Sequence, residues 1–343
     1  MLTRRALVVQ SQGEVQVEEI PLPTLRDEYI TVKVKAVALN PGDWKMLYGP
    51  HATPGSILGC DYSGVVEKVG RAVNALLTPG DRVAGFAFGG CPYNHDEGGF
   101  ASYVTAKGDI QAKLSDSISF EDAATLGVGI TTVGQAMYQA LGLPLPPAII
   151  QEAASILVYG ASTATGTLAV QYAKLTGLKV FATASPHNFD LLKKLGADEV
   201  FDYRDPECGA KIRTVTNGLL SLVFDTISEG SSPAIWAAAM GAKGGKYTAL
   251  LPIKNFPRSD VKVTTILGYT ALGVKVSDHL PANQKDFEFS AKFWKLSQHL
   301  LEKEKIKTHP VGVRQGGIDA IPQGLQDLKN GRVSGVKLVY KID

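Results

Sequence analysis

The chain has 343 residues, is 45% hydrophobic and 20% charged, and carries a formal net charge of +2. That is room for roughly two domains of about 150 residues and the composition of a globular protein with a full core. Near-neutral charge without a basic run argues against nucleic acid or an anionic membrane as the main partner, and no apolar stretch approaches the ~20 residues of a membrane helix.

Cys60, Cys91 and Cys208 form no C-x-x-C pair, which argues against a disulfide framework or a structural zinc. Neither end reads as a secretory or lipidation signal, so a cytoplasmic protein is expected.

In chain order, the first ~125 residues read as strands and turns: YITVKVKAVAL alternates, and SGVVEKVG, GDRVAGFAFGG and GGFASYVTA are short apolar runs closed or opened by glycine. The character changes near Phe120, where Ser119 is placed to cap a helical segment, SFEDAATLGVGITTVGQAMYQAL. Beyond Pro144, Pro146 and Pro147, strand and helix alternate: SILVYG, TGTLAVQYAKLTG, LKVFATAS, HNFDLLKKLG, ADEVFDY, LLSLVFDTIS, SSPAIWAAAMG and GGKYTALL. Such alternation predicts βαβ units and a parallel sheet. DFEFSAKFWKLSQHLLEKEKI is an amphipathic helix, and GRVSGVKLVYKI is a turn and strand that returns the chain to the β-rich part.

Gly160 and Gly166 frame the first strand-to-helix turn of the alternating region. A phosphate at a helix N-terminus needs backbone N–H groups and close approach, which glycine permits. The middle glycine of G-x-G-x-x-G is absent: Ala161, Ser162, Thr163, Ala164 and Thr165 fill the turn, with hydroxyls that can bond phosphate oxygens. An NAD site places an acid at the end of the next strand. Here that strand ends in Thr183, Ala184 and Ser185, and Ser185, His187 and Asn188, with Tyr203 further out, are candidate partners of a 2′-phosphate. The expected cofactor is NADPH.

These segments, together with ALNPGDWKMLYG, GCDYSGVVEKVG, PGDRVAGF, GGFASYV and VSGVKLVY in order, resemble the medium-chain dehydrogenase/reductase superfamily. Within it they look most like the zinc-free fungal enoyl reductases that act in trans with polyketide synthases. The resemblance implies an α/β protein: a GroES-like β-barrel substrate domain from residues 1–125 and 290–343, and a Rossmann domain with a doubly wound parallel sheet from 126–289. It also implies a cofactor cleft between them. Zinc relatives carry a Cys near the position of Gly42 and a His–Glu where Cys60–Asp61 stand; one thiol and one carboxylate do not complete a catalytic zinc set, so no metal is expected.

By resemblance Thr131 contacts the nicotinamide, and Asn40, Asp43 and Lys45 lie on a loop bordering the reacting end. Lys45, Thr131 and Tyr48 are candidate catalytic groups, Lys45 as a donor to the substrate carbonyl or a guide for a carrier phosphate, and Tyr48 and Tyr62 are candidate proton donors. Leu250, Val336 and Lys337 are expected at the cofactor, and Tyr62, Gly268, Tyr269 and Thr270 at the substrate.

The implied reaction is NADPH-dependent reduction of the α,β-double bond of a polyketide thioester, with the synthase's acyl carrier domain as partner. Hydride goes to the β-carbon, donors hold the enolate oxygen, and the α-carbon takes a proton. A stand-alone quinone or enone reductase, and a non-catalytic cofactor-binding protein, are the alternatives.

Overall fold

The computed structural model describes residues 3–152, 154–254 and 256–342. Two compact units form, one from the residues up to Thr131 together with those from Tyr269 onward, the other Thr132–Gly268.

The first unit begins with a hairpin of β1, Thr3–Ser11, and β2, Glu14–Pro21. Next comes β3, Tyr29–Ala38, whose β-branched run is buried along most of its length. The segment read as a loop is instead a helix, α1, Pro41–Tyr48, capped by Asn40. Asn-Pro-x-Asp explains it: proline suits the first helical position, and Asp43 at the third accepts the Asn40 backbone N–H at 2.7 Å. Four strands follow: β4, Asp61–Val69; β5, Arg82–Phe86; β6, Tyr103–Lys107; and β7, Gln111–Lys113. A short helix α2, Phe120–Ala123, starts as expected at Ser119, whose hydroxyl accepts the Asp122 N–H at 3.0 Å. Helix α3, Gly127–Val133, runs on as a π-helical stretch to Ala140.

The second unit is a six-stranded parallel sheet of β8, Ser155–Tyr159; β9, Lys179–Ala184; β10, Glu199–Asp202; β11, Leu222–Asp225; β12, Gly245–Ala249; and β13, Val261–Thr265. Their order, β10-β9-β8-β11-β12-β13, is the doubly wound dinucleotide order with its reversal between β8 and β11. The helices of this unit are α4, Ala164–Leu175; α5, Phe189–Lys194; α6, Cys208–Val215; and α7, Ser232–Ala239. Trp236 anchors the core on one side, its ring 4.4 Å from Tyr247 and 4.7 Å from Phe256.

The returning chain supplies α8, Gln284–Glu302, which packs on β7 and gives the Lys113 N–H an acceptor in Gln298 at 3.1 Å. Residues 126–131 and 269–289 thereby group with the first unit. β14, Val311–Arg314, a helix α9, Ile321–Lys329, and β15, Lys337–Lys341, complete it. β15 pairs antiparallel with β3, giving the order β14-β15-β3-β4-β5-β7, with β6 also on β3. The core joins Val32, Val34 and Val37 of β3 to Tyr62 of β4, Ile321 and Leu325 of α9, and Leu338 of β15. Among the described residues no helix is long and apolar enough to cross a membrane.

Candidate active site

Gly160 ends β8 with φ +70, a conformation that costs glycine little. A Cβ there would stand 2.5 Å from Ile227 Cγ1, and one on Gly166 would stand 2.5 Å from the Gly160 carbonyl. The start of α4 therefore lies on the turn with no room for a side chain. Thr163 is the N-cap: its hydroxyl accepts the Gly166 N–H at 2.9 Å and sits 3.0 Å from the Thr226 hydroxyl. Its hydroxyl is thus engaged in capping, and the first-turn N–H groups of Ala164 and Thr165, with the half-buried Ser162, are what the turn offers an anion.

Thr183 ties β9 to the turn by accepting the Gly160 N–H at 3.0 Å. Ser185 follows, half-buried, its Oγ 3.5 Å from the Tyr203 hydroxyl. Asn188 Nδ2 lies 3.3 Å from Nε2 of the exposed His187. No acid stands at the end of β9. Asp202, at the end of β10, is paired with Arg204 at 2.8 Å. Across the sheet reversal, Asp225 ends β11 buried; its Oδ1 accepts the N–H groups of Ile227 and Ser228, and its Oδ2 accepts the Tyr247 hydroxyl at 2.8 Å. Burial raises the Asp225 carboxyl above the usual range. The Ser228 hydroxyl accepts the Leu250 N–H at 2.9 Å, which fixes Leu250 at the end of β12. A glycine turn, an acid-free second strand and a capped helix start fit a nicotinamide dinucleotide.

In the first unit the residues expected at the reacting end divide. Asn40 and Asp43 are buried at the start of α1, while Lys45 on the same helix is half-buried beside Trp44. Asn40 Nδ2 and Asp43 Oδ1 are buried with no hydrogen-bond partner. The Cys60 thiol lies against Asp43, and 3.3 Å from it is the hydroxyl of Tyr269, whose ring stacks on Phe88 at 4.1 Å. Burial pushes the Asp43 carboxyl up to about 7. Asp61 forms a buried ion pair with Lys337 and accepts the Val128 N–H at 2.6 Å. Lys337 was expected at the cofactor; its ammonium is held by Asp61. His309 is held neutral nearby, burial and Lys337 lowering it to about 3.

Thr131 is buried, and its Oγ1 accepts the indole N–H of Trp294 at 3.1 Å. As an acceptor there, the hydroxyl keeps one hydrogen that it can donate. Thr131→Val is expected to strand the indole N–H and cost about 1–3 kcal/mol, read by urea denaturation, whereas Thr131→Ser should keep the stability of the native protein.

Two of the expected residues lie elsewhere than on an open surface. Tyr62, expected at the substrate, is fully buried and donates to Gln111 Oε1 at 2.9 Å. Both faces of its end of β4 are covered, so the side chain points into the core. Tyr48 lies at the far end of α1, its hydroxyl accepting from Gln326 and its ring 3.8 Å beneath the Lys329 ammonium. It lines a groove of about 560 Å³ with Gln10, Glu14, Gln323 and Gln326, apart from the Asp43–Cys60 cluster. Of the remaining positions, Gly268, Tyr269 and Thr270 lie in a 3₁₀ turn and Val336 is exposed just before β15. Arg71 and Arg82 pair with Asp27 and Asp116.

Sequence reasoning missed Cys60 as a partner of Asp43. The only available signal was its place directly before Asp61.

The alcohol dehydrogenase GroES-like domain matches residues 26–116, and the zinc-binding dehydrogenase domain matches 164–248. Among the described residues no group of three His, Cys, Asp or Glu side chains is placed to hold a metal ion. The chain is 43% identical to a trans-enoyl reductase, resD, of Aspergillus sclerotiorum, over 98% of this chain and 100% of that protein. It is 40% identical to the enoyl reductase component of the lovastatin nonaketide synthase of Aspergillus terreus, over 98% of this chain and 96% of that one. The solved structure of the CurK enoyl reductase shares the fold, with a TM-score of 0.80 at 20% identity over 99% of both chains.

Proposed function

The chain belongs to the trans-enoyl reductase family of oxidoreductases, and from that membership we propose that it reduces the α,β-double bond of a polyketide acyl thioester with NADPH, working in the cytoplasm with a synthase whose acyl carrier domain presents the substrate. The observation that carries this reading is identity to two such reductases along nearly the whole length of each.

The choice of NADPH rests on the end of β9. Ser185 and Tyr203 offer hydroxyls to a 2′-phosphate, His187 and Asn188 stand next to them, and no carboxylate there repels it. The pyrophosphate is held by Gly160, Ser162, Ala164, Thr165 and Gly166, and Leu250 borders the cofactor from β12. When bound, the nicotinamide supplies hydride to the β-carbon.

The protein's own groups then act on the acyl chain. Lys45, on α1, donates to the thioester carbonyl and stabilises the enolate oxygen. The Thr131 hydroxyl hydrogen orients the carboxamide, while the indole of Trp294 fixes the threonine rotamer. Thr270, on the turn after β13, contacts the acyl chain.

The carrier part of the reading is tested by comparing kcat/KM for one enoyl chain on an acyl carrier domain and on a short free thiol. A clear preference for the carrier-bound chain is expected; equal values would contradict carrier presentation.

A further inference from the structure

Reducing an enoyl group leaves an enolate that needs a proton at its α-carbon. We propose that Asp43, Cys60 and Tyr269 form a proton line that supplies it, with Tyr269 the donor to carbon. This inference rests on the enoyl-reductase reading above.

The three groups stand in series. Asp43 is held by its Oδ2, which accepts the Asn40 backbone N–H at 2.7 Å, while Oδ1 is buried with no partner. The Cys60 thiol lies against that carboxyl, and its Sγ is 3.3 Å from the Tyr269 hydroxyl. That hydroxyl donates to the Gly89 carbonyl at 3.4 Å, a long bond for a hydroxyl donor. The tyrosine ring is fixed by Phe88 at 4.1 Å and Phe86 at 5.8 Å. In the proposed line protonated Asp43 passes its proton to Cys60 Sγ, the thiol passes one to the Tyr269 oxygen, and the phenol hydrogen leaves the Gly89 carbonyl for the substrate.

The step balances without a redox partner. A C–H bond forms at the α-carbon as the phenol O–H breaks, the thiol proton passes to the phenolate oxygen, and the carboxyl proton passes to sulfur. The negative charge that began on the enolate ends on Asp43, which then takes a proton from solvent. Burial raises all three groups: Asp43 to about 7, Cys60 and Tyr269 well above their ordinary values. Near neutral pH Asp43 therefore gains and loses a proton readily, whereas the thiol and phenol pass one on without resting ionised. The charged groups facing Asp43 are Asp61 and Lys337, which neutralise each other as a pair. Cys91 adds only a neighbouring thiol to the surroundings of Tyr269.

The test is single-turnover reduction of an enoyl thioester in D₂O, following NADPH absorbance and the stereochemistry of deuterium at the α-carbon. The native protein is expected to place deuterium on one face. Tyr269→Phe, which keeps the ring packing, and Cys60→Ala are expected to oxidise NADPH but to label both faces, with turnover lower by about 10²-fold. Cys60→Ser, whose hydroxyl can pass a proton, should restore one-face labelling. In the native protein the protonation rate should fall as pH rises through about 7, where Asp43 loses its proton. Asp43→Asn, which keeps an acceptor for the Asn40 N–H, should remove that limb.

One-face labelling at native rate by Tyr269→Phe would overturn the line. An unchanged pH limb in Asp43→Asn would remove Asp43 from it and overturn the line as drawn. If the native protein fails to oxidise NADPH with the thioester, enoyl reduction itself is wrong and the line falls with it. Circular dichroism of each variant separates these outcomes from loss of fold.

Discussion

Replacing Lys337 by methionine is expected to lower the unfolding free energy by about 3–5 kcal/mol, because it leaves the Asp61 carboxylate buried without its cation. Asp61 would keep only the Val128 N–H at 2.6 Å. The residues are 276 apart in sequence, and the pair joins the last strand to β4 through buried charge. The cost reflects the stranded charge rather than the worth of the pair, so the double variant Asp61→Leu with Lys337→Met should recover much of the loss. Urea unfolding of the two variants beside the native protein measures this. A loss below 1 kcal/mol for Lys337→Met would show that water reaches Asp61 and that the pair is not buried as described.

Ser185→Asp is expected to weaken NADPH binding by about 10²-fold relative to NADH. A carboxylate beside the 2′-phosphate sets two like charges together, which costs several kcal/mol, while the free 2′-hydroxyl of NADH gains an acceptor. The position is half-buried, so the repulsion is screened less than on an open surface. Fluorescence titration of both cofactors with both proteins gives the ratio. An unchanged ratio would place the 2′-phosphate away from Ser185 and Tyr203.

The dinucleotide unit was the most legible part of the chain. From β8 to β12 each strand is separated from the next by a helix, so a parallel sheet follows from the alternation, though its strand order does not. The cofactor turn was legible from Gly160 and Gly166, although the capping role of Thr163 required its distances to Gly166 and Thr226.

The β-rich unit was less so. Asn-Pro-x-Asp is a helix start, yet its strand-rich surroundings favoured a loop; the cap chemistry outweighed that context. The burial of Tyr62 was not legible because the first four residues of β4 are buried on both faces, which erases the period-2 signal that separates core from surface. β14 is four residues long and half exposed, too short for a pattern. Asn40, Asp43 and Thr131 were singled out through the family resemblance and not by local pattern. The contacts Asp61–Lys337, Cys60–Tyr269 and Thr131–Trp294 join residues far apart in sequence, and local pattern carries no trace of them.

The most direct test of enoyl reduction uses purified, chelator-treated protein, NADPH and an α,β-unsaturated acyl thioester. NADPH consumption matched one-to-one by saturated thioester is the predicted result. No reduction of the thioester, with a quinone reduced in the same assay, would contradict it and make the protein a small-molecule reductase.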